Sequence, residues 1–248
     1  MRTAAAVASA ASLALVLAAC SGGGEGGDKG KGASKGSASA SAAPDAKALS
    51  AAELEKLIVE QADLKGYQVQ KAEAGDVVKP GDVSADKPAC TPLAEAMSFI
   101  ATGKPGASVQ RKAIEMPKTE GATASPEDAL GVLSAPVTSV TLGSYGGGGA
   151  QEALASLKTA GTECAGGFTL IGGGEKTKIT KVAPETVTAG EEALAFTVTT
   201  DVEGEEWTSK LVAFRKGNTL ASFSVISLGG KVKEQPKTVI DAQAAKLG

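Results

Sequence analysis

The pattern of apolar and polar positions divides this chain of 248 residues into three stretches of different character. Residues 3–19 carry only small and apolar side chains after a single basic residue, Arg2. Residues 21–48 are mostly Gly, Ser, Ala and Lys with almost no large apolar side chain. Such a stretch cannot bury enough surface to offset its ordering entropy, which predicts a flexible tether with a reach of about 30 Å. From residue 49 onward the periodicities are those of a folded domain.

Ser50 and Glu53 have the spacing of a capping box, and Leu54, Leu57, Ile58 and Leu64 follow at helical intervals, predicting a helix over 51–63 ended by Gly66. Residues 67–78 read as extended, because Tyr67 and Val69 alternate with Gln68 and Gln70, and 80–88 reads as a loop. A second helix is predicted over 92–101, with Pro92 in its first turn and Leu93, Met97 and Ile100 on one face. Residues 108–116 form a strand and 117–126 a polar loop, with a short helical turn starting at Ser125-Pro126-Glu127-Asp128. A strand over 137–145 alternates Val140 and Leu142 with Thr and Ser. Gly146 to Gly149 then interrupt the chain before a third helix over 151–159, and Cys164 falls just past its end, after Gly161. The runs 193–200, 207–216 and 219–228 are rich in β-formers and separated by turn signals at 202–205 and 217–218, an antiparallel meander. A last helix spans 236–247. These elements predict an α+β fold, an antiparallel sheet covered by helices, in one domain over 49–248.

The N-terminal order of one positive charge, a short apolar segment, small residues and then a cysteine, ending Leu17-Ala18-Ala19-Cys20, resembles a bacterial lipoprotein signal with its lipobox. The resemblance implies diacylglycerol transfer to the Cys20 sulfur and cleavage after Ala19. Residues 1–19 would be the signal, and 20–48 a lipidated cysteine with its tether. The domain would then hang on the outer face of the cytoplasmic membrane. The alternative is a transmembrane helix. Seventeen residues, mostly Ala and Ser, are short for ~30 Å of hydrocarbon, and the segment reads better as a processing signal.

Composition narrows the chemistry. Lys and Arg number 25 and Asp and Glu 28, a net charge of −3 without a basic run, so nothing predicts nucleic-acid binding. The chain has no histidine. That removes Ser-His-Asp and Cys-His catalysis and the commonest transition-metal ligand, and it argues against an enzyme, a zinc or copper site, or a cofactor. With Cys20 taken by lipid, Cys90 and Cys164 remain as an even pair in an exported chain, which favours a disulfide. Closing that loop would contribute about 4 kcal/mol in the chain-entropy model, pinning the second helix to the exit of the third. Two separate buried thiols are the alternative.

The element order, with Cys90-Thr91-Pro92-Leu93 opening a helix, Cys164 closing another and a C-terminal meander, resembles the extracellular sensor domain of mycobacterial PknH-type kinases and related actinobacterial sensor-like lipoproteins. The resemblance covers about 50–247 and implies an antiparallel sheet with helices and a cleft implicated in ligand binding. The family's second disulfide cannot form here, and no Trp stands just before Cys164. Only the fold and the disulfide carry over.

Other motifs are set against plainer readings. Ser84-Ala85-Asp86-Lys87 has the S-x-x-K spacing of penicillin-binding enzymes, but Pro88 disfavours a helix at the lysine, and the partner motifs are missing. Gly146 to Gly149 before a helix could hold an anion, yet no Lys-Ser or Lys-Thr follows and a flexible loop is the simpler reading; Gly172 to Gly174 is weaker still. Asp201, Glu203, Glu205 and Glu206 lack a calcium-loop pattern and read as a solvated hairpin. Tyr67, Tyr145 and Trp207, the large amphipathic aromatics, are candidates to line a ligand cleft, the alternative being that each closes the core at a sheet edge. The function expected is a non-catalytic sensor or ligand-binding lipoprotein. The second expectation is an envelope protein that docks on another protein without a small ligand. A cleft lined by apolar residues would favour the first, and a flat apolar patch the second.

Overall fold

A computed structural model describes residues 46–73, 77–116 and 134–248. The signal segment, Cys20, nearly all of the tether, the 117–126 loop and the turn expected at Ser125 to Asp128 lie outside the described residues.

The elements run α1 (Ala51–Leu57), β1 (Tyr67–Lys71), β2 (Val83–Ala85), α2 (Thr91–Met97), β3 (Ala107–Glu115), β4 (Val137–Ser144), α3 (Gly149–Glu163), β5 (Phe168–Gly172), β6 (Glu175–Glu185), β7 (Glu192–Val202), β8 (Glu205–Lys216), β9 (Thr219–Ile226) and α4 (Lys237–Leu247). Nine strands join in one sheet in the order β1-β3-β4-β9-β8-β7-β6-β5-β2, every pairing antiparallel.

Successive side chains of a strand point to opposite faces, and here both faces are covered over the sheet's centre. On one side Phe196, Val198, Leu211 and Ala213 pack with Leu93 of α2 and Leu157 of α3. On the other Val140, Val212, Phe214 and Phe223 pack with Leu54 of α1 and Val239 of α4. The helices therefore form two outer layers. That is why Leu211 to Phe214 are all buried in succession, the pattern of a strand covered on both faces.

Cys90 and Cys164 are joined, with Cα atoms 5.9 Å apart, and tie the start of α2 to the end of α3. The capping box is present, with the Glu53 amide bonded to the Ser50 hydroxyl and the Glu53 carboxylate accepting from the Ser50 amide.

Several elements depart from the periodicity. The helix predicted over 51–63 ends at Leu57, where Ile58 is extended. The buried Val59 amide donates to Gln243 Oε1 of α4 at 3.0 Å, so tertiary packing overrides the helical pattern. The second helix stops at Met97 because the chain reverses at Phe99, whose φ is +66°. The third continues to Glu163. Gly161 does not end it but lets it lie on the sheet, since a Cβ there would sit 2.2 Å from the Phe196 ring. The 80–88 segment contains the short edge strand β2. The β5–β6 hairpin turns at Gly173 and Gly174, both at positive φ; its charged alternation, Glu175-Lys176-Thr177-Lys178, hid it from the hydrophobic pattern. Among the described residues, no helix is long and apolar enough to cross a membrane.

Candidate functional site

On the face that carries α2 and α3, the helices cover only part of the sheet. The rest is a trough of about 560 Å³. Its floor crosses six adjacent strands, from Gln70 on β1 to Thr200 and Val202 on β7, and five inter-strand spacings make it about 24 Å long. The strand register aligns Ile114, Val137 and Ile226 in one cross-strand row. Beside it, Gln70, Lys112 and Ser139 form a polar row.

The end of α2 walls the trough on its core side with Met97 and Phe99. The Phe99 carbonyl accepts from Gln110 Nε2 at 2.5 Å and Thr141 Oγ1 at 3.0 Å, and Ser224 Oγ donates to the Met97 carbonyl. These bonds hold Phe99 in a left-handed conformation that costs a bulky residue about 1 kcal/mol or more. Trp207 forms part of the floor, its indole resting against Gly230, where a Cβ would come within 3.0 Å of the ring. Ile226 is 45% exposed and Leu228 72%, so the apolar surface is open to solvent.

The trough has a definite place relative to the start of the described chain. The Leu49 amide donates to Ser144 Oγ, Asn218 Nδ2 to the Lys47 carbonyl, and the Gly147 amide to the Ala46 carbonyl. The chain thus enters at the Ser144 end of β4, while the trough lies at the Val137 end of the same strand, about 23 Å away by strand rise.

The three aromatics singled out from the sequence are not brought together. Trp207 is in the trough. Tyr67 lines a separate cleft of about 450 Å³ with Glu115, Thr138, Val225 and Thr238, on the opposite face of the sheet. Burial, with Glu115 adding to it, pushes its phenol up. Tyr145 is a core residue, 1% exposed, whose hydroxyl donates to the Thr102 carbonyl at 2.7 Å. Burial first and Glu95 second raise its phenol well above the ordinary range, and it faces none of the clefts described. Phe99, Met97 and the Ile114–Val137–Ile226 row were not singled out from the sequence.

The remaining motifs take the plainer readings. Ser84 lies on strand β2 rather than a helix, and Lys87 Nζ donates to the Gly167 carbonyl at 2.7 Å. In the glycine loop, the Gly149 amide closes a local turn on the Gly146 carbonyl, and the Gly147 amide donates to the distant Ala46 carbonyl. Asp201 caps its hairpin by accepting from the Gly204 amide at 2.9 Å, and that bond, with Lys178, lowers its pKa.

Buried charges outside the trough are paired. Lys210 meets Glu185 at 2.5 Å, and Arg215 meets Glu191 at 2.7 Å. Among the described residues, no group of three or more Cys, Asp or Glu side chains is placed to hold a metal.

No protein-family model matches the chain, and no curated protein matches it. Solved structures similar to it include the following two. The extracellular domain of PknH from Mycobacterium tuberculosis overlays with a TM-score of 0.47 at 11% identity, covering 81% of this chain and 97% of that one. A putative uncharacterized protein from Mycobacterium smegmatis, the Rv0999 ortholog, overlays with a TM-score of 0.33 at 11% identity, covering 79% and 92%. Overlap of that extent leaves the site to be read from this chain's own residues.

Proposed function

We propose that the chain is a lipid-anchored, extracytoplasmic, non-catalytic ligand-binding or sensor protein, and that the trough floored in part by Trp207 is its binding site. The observation that carries this reading is the trough itself: a walled apolar concavity with an aromatic floor, within the usual range for small-molecule sites of roughly 300–1,000 Å³. The Cys90–Cys164 disulfide supports export, since such bonds persist in oxidising compartments. The trough opens at the strand ends remote from where the chain enters the domain. A walled trough also favours a ligand over docking on a flat protein surface, the alternative function.

Two experiments test the reading. In the native host, the chain should incorporate labelled fatty acid and Cys20→Ala should not; a wild-type chain that takes up no label, or a Cys20→Ala chain that keeps it, would refute the anchor. Native mass spectrometry of the Cys20→Ala chain from that host should show an adduct of a few hundred daltons that denaturation removes. A bare mass in protein purified under mild conditions would count against a resident ligand.

A further inference from the structure

The lining of the trough also sets the class of molecule that fits it, an inference that rests on the proposed ligand-binding role. Ile114 on β3, Val137 on β4, Ile226 on β9, Trp207 on β8 and Val202 on β7 stand on five adjacent strands. Apolar side chains therefore follow one another across the sheet for about 19 Å. Met97 and Phe99 wall that path where α2 stops, and a flexible thioether beside an aromatic ring adapts to the shape of what it meets. Such a path suits a chain better than a compact molecule.

The same lining offers no free charge. Among the described residues no carboxylate lines the trough, and its one cationic side chain, Lys112, already interacts with another group of the chain. Two of the hydroxyls are likewise taken up by the protein. Thr208 Oγ donates to the Val232 carbonyl, and Ser227 Oγ donates to the Ser134 carbonyl while accepting from the Gly229 amide. The other polar lining side chains, Gln70, Ser139, Thr200 and Ser209, are neutral. They can meet a hydroxyl or an ester, whereas an ionic head drawn out of water onto neutral groups loses its hydration without gaining a counter-charge.

We infer that the trough binds an uncharged, chain-like aliphatic molecule, such as a long-chain alcohol, lying across the strands from Ile114 to the Trp207 indole. Its hydrocarbon covers the exposed Ile226 and Leu228, and its affinity comes from buried methylenes rather than from an ion pair.

Trp207 is the chain's one tryptophan, so its fluorescence reports the site without a label. The full chain carrying Cys20→Ala, free of detergent, is titrated with hexanol, octanol, decanol and dodecanol below their solubility limits. Laurate and dodecyltrimethylammonium, below their micelle concentrations, and phosphatidylcholine vesicles complete the set. The alcohols are expected to give a saturable spectral change whose affinity rises about two- to fourfold per added methylene. Both ionic probes should bind about tenfold or more weaker than dodecanol. Ile226→Asn should lose about tenfold for dodecanol, and Leu228→Ser, at a largely exposed position that does not threaten the fold, about threefold. Val77→Asn, exposed and outside the trough, should lose nothing. Laurate or the cation binding as tightly as dodecanol, or an affinity indifferent to chain length, would overturn the uncharged aliphatic class while leaving the binding site in place. Equal losses at Val77 and Ile226 would overturn the location. A change with vesicles and none with alcohols would give the trough to a lipid surface, and a chain that sediments as a dimer and binds no alcohol would give it to a second copy; either overturns the assignment. No saturable change with any probe would overturn it too, and together with a bare native mass would remove the ligand-binding role as well.

Discussion

Two parts of one sheet face differ in almost every physical respect. Leu211 and Ala213 of β8 are 1% and 0% exposed, packed with α2 and α3. Ser209 and Trp207, a few residues earlier on the same face, are half-buried and line the trough. The covered part is closed by a disulfide and by helices seated on the sheet, while the trough ends where α2 stops at Met97 and the chain turns back at Phe99. The lesson is that the covering layer is cut short. The sheet continues with apolar side chains beyond the helices, and Ile226 and Leu228 stand exposed there.

The contrast can be broken at its strongest point first. Replacing Cys90 and Cys164 together by Ser should lower stability by about 4 kcal/mol, from the 74-residue separation that the disulfide closes, as read by urea unfolding. Leu157→Ala, at a fully buried position of α3, should cost about 2–5 kcal/mol, whereas Leu228→Ser in the trough should change stability by less than about 0.5 kcal/mol. Equal losses at the two sites would erase the distinction between covered and open surface.

Acid sharpens the same contrast, because the carboxylates that titrate lie outside the trough. Glu55 is held below its usual range by Arg111 and Asp63 by Lys246; Glu185 is raised by burial but brought lower overall by Lys210, Thr197 and Gln235. Each has a folded pKa below its unfolded value. Their stabilisation is thus present above the ordinary carboxylate range near pH 4 and lost as pH falls through the lower folded values. Thermal melts between pH 7 and pH 2 should show stability falling on the acid side, and a flat profile would contradict these pairings.

The smallest expected effect is at Phe99. Phe99→Gly should change stability by no more than about 1 kcal/mol, because relief of the positive φ offsets much of the half-buried ring that it removes, yet it should weaken ligand capture. A loss of stability together with intact binding would make Phe99 a packing residue only.

Local chemistry was well marked along the chain. The Ser50–Glu53 cap, the meander of β7 to β9 and the cysteine pair each rest on short-range signals, and each is present. Trp207 stood out by residue type. What the periodicity missed depends on long-range contact. The start of β6, Glu175-Lys176-Thr177-Lys178, carries charges instead of large apolar residues, and the third helix, expected over 151–159, runs on to Glu163 because Gly161 lies directly against Phe196. The trough floor comes from residues 114, 137 and 226, more than twenty positions apart and aligned only by strand register. Tyr145 was a reasonable candidate for a cleft, but its hydroxyl finds a backbone partner inside the core.

The central claim is that the uncovered part of the sheet is a binding surface. Methyl and indole nuclear magnetic resonance of the Cys20→Ala chain tests it most directly, because one tryptophan gives one indole signal. On addition of dodecanol as an apolar probe below its solubility limit, the account predicts shifts confined to Trp207 and the methyls of Ile114, Val137, Ile226 and Leu228, with Leu157, Val212 and Leu93 unmoved. Shifts centred on the Tyr67 cleft of the opposite face, or no shift at any of these positions, would contradict it.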